Sequence, residues 1–177
     1  MTATEIAALL SEQFPGALTT QNLDALDPFV VVDGARLLDV ALFLRDDPRL
    51  RFEILNDITG VDYLETDAKK IAKAGFEPHL EIVYHLSSFH YSGRRFTIKI
   101  VLPRWKGDVP GQLPEVFSLA KVWPTANWQE REVFDLLGVQ FLGHPDLRRI
   151  LLADDWAGYP LRKDYEYPVE YHGIRCR

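Results

Sequence analysis

Residues 80–102, LEIVYHLSSFHYSGRRFTIKIVL, decide the fold, because two apolar runs flank a short polar segment there. The first run, 80–91, and the second, 95–102, are rich in β-branched and aromatic residues, and Ser92-Gly93-Arg94 between them indicates a compact hairpin. In the second run Phe, Ile and Ile alternate with Thr, Lys and Val, so we expect one buried face and one mostly wet face. These two strands are predicted to form the central hairpin of a sheet.

The residues on either side of this hairpin add further helices and strands. A short helix after Thr4, a strand at 29–32, a helix at 36–45 and interrupted strand character at 52–63 come before it, and a helix at 113–122 follows it. Elements in this order favour an α+β layer fold. We therefore predict a single two-layer α+β domain with a mixed or antiparallel sheet, followed by an extended C-terminal docking arm.

Composition and charge exclude several classes of protein. The 177 residues are 47% hydrophobic and 26% charged, which is typical of a globular chain with its own core. The formal net charge of −6 argues against general binding to nucleic acid or anionic lipid, since both need a basic face. The single cysteine, Cys176, excludes an internal disulfide framework and an iron–sulfur cluster held by cysteines of this chain.

The sequence also bears on location. Glu5 stands where a signal peptide would be apolar, and no basic segment precedes it. No apolar run approaches the ~18 residues that span a bilayer. We therefore expect a cytoplasmic chain that meets a membrane only indirectly, through a partner.

Residues 127–137, NWQEREVFDLL, are predicted to form a helix. Asn127 and Glu130, three residues apart, form a capping-box pattern at its start. Gly138 is typical of the residue that ends a helix. We place the domain boundary here. Residues 1–126 are predicted to form the α+β core domain, and residues 127–177 hold this helix and the extended partner-docking arm.

The two sides of this helix differ in character. Successive residues of a helix are rotated by about 100° about its axis. This rotation places the apolar residues on one side and Arg131, Glu132 and Asp135 on the other, around Trp128. Arg131 and Asp135 are four residues apart and can pair. A solvated face with a local ion pair is the ordinary interpretation, whereas a tryptophan among charges of both signs is also typical of an interface. The helix alone does not decide between the two.

The arm, residues 138–165, has no helical or strand period. Its glycines, prolines and paired charges offer little apolar area to offset the entropy of ordering, so it needs a groove on this domain or on another. We expect it to become fully ordered only against a partner subunit. There Trp156 and Tyr159 would be anchors, and the basic pairs would meet acidic groups or backbone carbonyls.

The sequence from helix to arm resembles a known family. Residues 130–151, EREVFDLLGVQFLGHPDLRRIL, and residues 159–164, YPLRKD, are similar to the signature of the 30 kDa subunit family of bacterial respiratory complex I, whose members are designated C. This complex is the proton-pumping NADH:quinone oxidoreductase. Residues 1–126 fit the expected α+β layout of that family but carry no motif of their own.

The resemblance implies a peripheral-arm subunit without a cofactor of its own, in a complex whose cofactors are FMN, iron–sulfur clusters and quinone. Its expected partners are the quinone-pocket subunit and the subunit with the terminal iron–sulfur cluster, at the cytoplasmic face of the bacterial inner membrane. An equivalent docking role in a related membrane-bound hydrogenase, or in a complex with a donor other than NADH, is the alternative. The predicted partner-docking residues are Trp128, Glu130, Arg131, Glu132, Asp135, Gly143, His144, Pro145, Arg148, Arg149, Trp156, Tyr159, Arg162, Lys163 and Asp164.

Independent catalysis and metal binding are not indicated by the sequence. His79 and His85 would share one strand face while His90 falls on the other, so the three do not converge as ligands. Glu132, Asp135 and His144 lack a neighbouring nucleophile, and the sequence holds no GxSxG, HExxH, P-loop or GxGxxG motif. We therefore predict no catalytic, metal-binding or cofactor-binding residue in this chain.

Overall fold

The computed structural model describes residues 1–176, which form four α-helices and nine strands joined by turns. In chain order they are α1 (Ala3–Gln13), β1 (Leu18–Asn22), β2 (Phe29–Val32), α2 (Leu37–Asp46), β3 (Ile54–Tyr63), α3 (Ala68–Ile71), β4 (His79–Ser87), β5 (Arg95–Leu102), β6 (Glu115–Phe117), α4 (Ala126–Leu137), β7 (Gln140–Leu142), β8 (Glu170–Tyr171) and β9 (Ile174–Arg175). Short 3₁₀ turns at Gly34–Arg36 and Lys106–Asp108 lie between them.

A five-stranded mixed sheet is the centre of the fold. Its strand order is β1-β2-β5-β4-β3, in which β2 and β5 are parallel and the other neighbours are antiparallel. Helices α1, α2 and α4 contribute apolar side chains to one core with the sheet, among them Leu10, Leu44 and Val133 beside Ile98. The predicted α+β domain with a mixed sheet is confirmed.

The central hairpin is present, but its first strand is shorter than predicted. β4 and β5 pair in register from Leu80 opposite Leu102 to Ser87 opposite Arg95. The strand was expected to continue to Tyr91, but residues 88–94 form a loop in which the backbone N–H of Ser88 donates to the carbonyl of Arg94. A seven-residue loop therefore replaces the expected compact turn.

The prediction of a helix at 113–122 is wrong. Residues Glu115–Phe117 form strand β6, which pairs in parallel with β7. The backbone N–H of Ser118 donates to the carbonyl of Leu142, and that of Leu119 donates to the carboxylate of Glu130. These long-range partners hold the segment extended, so tertiary contacts override its apolar helical spacing.

Helix α4 packs closely on strand β3 at a glycine. An added Cβ at Gly60 would lie 2.7 Å from Leu137 Cδ2 and 3.1 Å from Val133 Cγ1. Both neighbours are buried in the core and have little room to retreat. Gly60 thus sets the distance between α4, which begins the predicted docking segment, and the sheet.

We expect Gly60→Ala to destabilise the chain by about 1–2 kcal/mol, because an extra methyl group overpacks this contact. Urea unfolding of the purified chain measures the change. Gly34→Ala is the matched control, since nothing lies within 4 Å of its added Cβ and its backbone is unstrained. Equal stability of the two variants would contradict the close approach of α4 to β3.

Candidate partner-docking surface

The start of helix α4 is built differently from the predicted capping box. The helix begins at Ala126, and the hydroxyl of Thr125 donates to the carbonyl of Leu55 instead of capping the helix. Glu130 does not turn back to Asn127. Its carboxylate accepts hydrogen bonds from inside the core, so this part of the prediction is wrong.

Glu130 is fully buried and joins α4 to the segment after β6. Its Oε2 lies 2.6 Å from the hydroxyl of Ser118, and its Oε1 lies 2.6 Å from the backbone nitrogen of Leu119. Burial raises the pKa of Glu130 to about 7, although both hydrogen bonds favour the ionised form. The hydroxyl of Tyr84 is also buried and has no hydrogen-bond partner among residues 1–176, and burial followed by the charge of Glu130 raises its pKa.

The ion pair between Arg131 and Asp135 that the helical spacing allowed is absent from the part of the chain that the structure describes. Both residues are buried, with 6% and 0% of their surface exposed. Arg131 instead donates to the carbonyls of Arg148 and Arg149, each at 3.1 Å. Its guanidinium also lies 5.6 Å from the centre of the Trp128 ring. The charged side of the helix therefore faces the arm of the same chain.

Asp135 is the main attachment point of the arm. Its Oδ2 accepts the backbone N–H groups of Ile150, Leu151 and Leu152 at 3.0, 2.7 and 2.9 Å, and its Oδ1 accepts from Arg149 at 2.7 Å. Burial opposes ionisation, but these four donors outweigh it and lower the pKa of Asp135. The carboxylate thus satisfies three backbone donors and one guanidinium group at once.

Arg149 extends this attachment to the next turn of the arm. Its Nη1 also bonds the carbonyl of Asp135, and its Nη2 donates to the carbonyls of Trp156 and Gly158. Its guanidinium lies 5.5 Å from the ring centre of Tyr159. One arginine therefore connects helix α4 to two later positions of the arm.

Arg162 caps the other end of helix α4. It is 5% exposed and donates to the carbonyls of Leu137 at 2.8 Å, Gly138 at 3.1 Å and Arg104 at 2.8 Å. Its guanidinium lies 3.7 Å from the centre of the Trp105 ring. The last carbonyls of a helix lack intrahelical donors and carry partial negative charge, so a buried cation is favourable there.

An ion-pair network fixes the arm beside Arg162. Arg104 forms a two-pronged contact with Asp62 at 2.7 and 2.8 Å and a second with Asp164 at 2.7 and 3.1 Å. The hydrogen bonds to Asp62, and then those to Asp164, raise the pKa of Arg104, and the same contact lowers the pKa of Asp164. The backbone N–H of Lys163 also donates to Asp62.

The end of helix α4 and the arm meet at Gly138. This residue has a φ of +73°, as predicted for a helix stop, and an added Cβ would lie 2.7 Å from the ring of Tyr159. The imidazole of His144, also buried, bridges the carbonyl of Asn127 and the backbone N–H of Asp146. Its Nε2 lies 3.9 Å from Glu130.

The predicted docking residues thus divide into two groups. One group is buried or half-buried and makes its contacts within this chain, most of them between helix α4 and the arm: Glu130, Arg131, Asp135, His144, Arg149, Trp156, Tyr159 and Arg162. The other group is exposed: Trp128, Glu132, Gly143, Pro145, Arg148, Lys163 and Asp164. Trp128 is the largest of these and is 68% exposed.

The arm therefore finds its groove on this chain. The carboxylates and carbonyls that were expected from a partner are supplied by helix α4 and by the ends of β3 and β5. Asp62, Arg104 and Trp105 were not singled out in the sequence, because they stand far from the motif and follow no recognisable spacing. We expected the arm to become ordered only against a partner subunit. These contacts indicate instead that the arm is ordered on its own domain.

Neither a metal centre nor a membrane span is found in the described chain. Residues 1–176 hold no group of three His, Cys, Asp or Glu side chains placed to bind a metal ion. Over the same residues no helix is both long enough and apolar enough to cross a bilayer.

We expect Arg162→Lys to destabilise the chain by about 1–3 kcal/mol, because an ammonium group cannot reach three carbonyls that are arranged for a planar guanidinium. Hydrogen exchange at the Leu161 amide, which donates to the carbonyl of Leu136 at 2.9 Å, reports the local loss. Lys163→Arg is the control, since that side chain is exposed. Unchanged protection of Leu161 in Arg162→Lys would contradict this capping role.

Comparison with known proteins identifies relatives over nearly the whole chain. The family model of the respiratory-chain NADH dehydrogenase 30 kDa subunit matches residues 30–171. The NADH-quinone oxidoreductase subunit designated C of Chlorobium phaeobacteroides is 40% identical over 168 residues, which are 94% of this chain and 90% of that protein. The protein of the same name from Roseiflexus castenholzii is 43% identical over 165 residues, which are 93% and 84% of the two chains.

Two solved structures share the fold. A trypsin-resistant fragment of Nqo5, residues 1–134, is 26% identical with a TM-score of 0.57, over 80% of this chain and 98% of the fragment. A chain of the archaeal membrane-bound sulfane sulfur reductase has a TM-score of 0.66 and 24% identity, over 92% and 85% of the two chains. The family match and the curated relatives together show that this chain belongs to the 30 kDa subunit family of respiratory-chain NADH dehydrogenase, the enzyme also called NADH-quinone oxidoreductase.

Proposed function

We propose that this chain is a cofactor-free peripheral-arm subunit of NADH-quinone oxidoreductase that has no catalytic activity of its own. It supports the quinone-reducing module while electrons pass from NADH to quinone and protons are translocated. Its partners are the quinone-pocket subunit and the subunit with the terminal iron–sulfur cluster, at the cytoplasmic face of the inner membrane. The observation that carries the proposal is family membership over more than nine-tenths of the chain.

The arrangement of charges supports a docking role. Of the residues considered for catalysis, Asp135 and His144 have buried side chains that are hydrogen-bonded within this chain, and only Glu132 is exposed. The exposed part of this region is a surface around Trp128, beside Glu132 and Arg148. A preformed surface with an exposed tryptophan binds with little loss of conformational entropy, and tryptophan is a favoured interface anchor.

Purification of the native complex through a tag on this chain tests the proposal. Flavin, iron–sulfur clusters and NADH-dependent quinone reduction should accompany the tagged chain. Activity with hydrogen or another donor but not with NADH would instead favour the alternative, the equivalent subunit of a related complex. Recovery of the chain alone from detergent-solubilised membranes would contradict both.

Limited trypsin digestion of the free chain tests whether the predicted docking residues fall into a group held by this chain and an exposed group. We expect cleavage after Arg148 and Lys163, whose side chains are exposed, to be faster than cleavage after Arg149 and Arg162, whose side chains are held by this chain. In the complex all four sites should be protected. A fragment of the relative Nqo5 is described as trypsin-resistant, which makes this digestion informative for the family. Rapid cleavage after Arg162 in the free chain would contradict the internal fastening.

Replacement of Trp128 tests its role as an anchor. Trp128→Ala should lower the amount of assembled complex about 10-fold or more, as expected for a loss of at least about 1.4 kcal/mol at an interface anchor. The stability of the free chain should change by less than about 0.5 kcal/mol, because the side chain is mostly exposed. Ile71→Ala, a truncation of an exposed apolar residue elsewhere on the chain, is the control. Normal assembly of Trp128→Ala would place the docking surface elsewhere.

A further inference from the structure

The loop between strands β4 and β5 is held rigid while it exposes an aromatic side chain. Phe89 is 84% exposed, although its backbone N–H donates to the carboxylate of Glu53 at 3.1 Å. The hydroxyl of Ser88 donates to the same carboxylate and accepts from the backbone N–H of Tyr91 at 3.0 Å. The Tyr91 hydroxyl donates to the carbonyl of Pro48 at 2.7 Å.

The second half of the loop is braced in the same way. The guanidinium of Arg94 donates to the carbonyls of Arg49 and Leu50 and lies 3.9 Å from the ring centre of Tyr91. Gly93 supplies the left-handed turn with a φ of +78°. Several backbone and side-chain groups of this loop are thus hydrogen-bonded within its own chain, while the ring of Phe89 lies in water. An ordered loop that exposes a large aromatic ring is pre-organised for binding.

The loop that carries this ring is positively charged on an otherwise acidic chain, and the carboxylate of Glu53 that contacts its backbone is paired with Arg51. Residues 88–95, SFHYSGRR, contain two arginines and no carboxylate, whereas the whole chain has a net charge of −6. Among the described residues, neither Arg94 nor Arg95 has a carboxylate close enough to form an ion pair. Arg95 also lines a cavity of about 570 Å³ with His85, Thr97, Asn56 and Asp27.

This loop is remote from the arm. It lies at the Arg95 end of strand β5, whereas Arg104, just beyond the Leu102 end, carries the network that holds the arm. Eight residues of strand at about 3.3 Å each place the two ends about 23 Å apart. A partner that binds the arm beside Arg104 therefore does not account for the exposed ring.

We propose that residues 88–95 and the adjoining cavity form a second docking surface, which binds an acidic face of another protein of the complex. Phe89 enters an apolar cleft of that partner, and a carboxylate of the partner enters the cavity beside Arg95. The inference rests on the proposed membership in a multisubunit complex, but it concerns a different surface and a different contact.

Charge complementarity favours a protein over a membrane. A single phenylalanine and two arginines give little affinity for a bilayer, since stable anchoring needs a larger apolar face or a longer run of basic residues. The rest of this acidic chain would be repelled by anionic lipid. A protein cleft, in contrast, can bury the whole ring and satisfy both guanidinium charges.

Site-specific crosslinking in the assembled complex tests the proposal. With p-benzoylphenylalanine in place of Phe89, irradiation should yield an adduct with one other protein of the complex, at a peptide rich in Asp and Glu. An adduct with lipid, with a basic peptide, or with no protein at all would overturn the proposal.

Assembly measurements give the matched comparison. Phe89→Asp should lower the yield of partner proteins that co-purify with the tagged chain about 10- to 100-fold, and Arg95→Glu about 10-fold. The controls are Ile71→Asp and Lys121→Glu, which make the same kinds of change at exposed residues elsewhere and should leave the yield unchanged. Equal yields for Phe89→Asp and Ile71→Asp would overturn the proposal. If the unaltered chain itself recovered no partner, the failure would lie with the proposed function.

The free chain shows whether a loss of assembly comes from misfolding. Urea unfolding should give the same midpoint for Phe89→Asp as for the unaltered chain, since the ring is 84% exposed and makes no core contact. A large loss of stability in the free chain would show that Phe89 is a structural residue and would also overturn the docking role.

Discussion

Asp135→Ala is expected to destabilise the folded chain by about 3–5 kcal/mol, the usual range when one partner of a buried charge contact is removed. The substitution leaves the backbone N–H groups of residues 150–152 without their acceptor and leaves the guanidinium of Arg149 without its carboxylate. Urea unfolding measures the total loss. Trypsin should also cut rapidly after Arg149, which the unaltered chain protects.

We also expect Asp135 to make the stability of the folded chain depend on pH in the acidic range. Its pKa is lowered in the folded chain, so its contribution to stability is present above the unfolded value of about 3.9 and is lost as the pH falls through the folded value. Glu132→Ala, on the exposed side of the same helix, should change stability by less than about 0.5 kcal/mol. If the two variants unfolded at the same urea concentration, Asp135 would not be the attachment point of the arm.

Glu130→Gln is expected to stabilise the chain at pH 8 and to have a much smaller effect on its stability at pH 5. Burial raises the pKa of Glu130 from 4.5 to about 7, and this shift corresponds to about 3 kcal/mol. The folded state therefore holds the proton that the unfolded state releases. The stability contributed by the neutral group is present below about pH 4.5 and is lost as the pH rises through about 7. The glutamine amide carries no charge and can keep both contacts, with Ser118 and Leu119.

The measurement is urea unfolding of both proteins between pH 5 and pH 8. At each pH the free energy of unfolding of the unaltered chain is subtracted from that of the variant, so the contributions of the other carboxylates cancel. This difference in free energy should grow with pH toward about 3 kcal/mol, less any loss of hydrogen-bond strength. Glu132→Gln should show no such growth, since its side chain is exposed. A constant difference at every pH would mean that Glu130 remains ionised throughout.

The sequence predicted the elements that depend on local pattern. The alternation in β5 and the β-rich run of β2 correspond to strands of the sheet, and Gly138 ends its helix with the expected positive φ. These signals are local, since a strand face or a helix stop is encoded within a few residues. The family signature in residues 130–151 is also continuous in sequence, which is why it could be identified before the fold was known.

The positions of the charged side chains could not be predicted in the same way. Helical spacing correctly grouped Arg131 and Asp135, but it cannot show whether water or another segment covers that side. The arm covers it, and the two residues bond separate parts of the arm instead of each other. Residues far apart in sequence, such as Asp62 and Lys163, are brought together only by the complete fold.

The two capping-box patterns of the chain illustrate the same limit. Thr2 and Glu5 form a true reciprocal cap at the start of α1, where both side chains are exposed. Asn127 and Glu130 have the same spacing, but Glu130 meets Ser118 and Leu119 in the core. A pattern of this kind predicts a cap only where no buried donor competes for the carboxylate.

The parallel pairing of β2 with β5 has a consequence for the order in which the chain folds during synthesis. Phe29 lies opposite Thr97, so β2 cannot pair with β5 until the ribosome has synthesised the long segment between them. Contacts of such long sequence separation slow folding, because a long loop must close first. The arm closes last, since Asp62 meets Lys163 across 101 positions. A ribosome-bound or truncated chain thus lacks the finished surface around Trp128, and a partner that recognises this surface selects completed subunits.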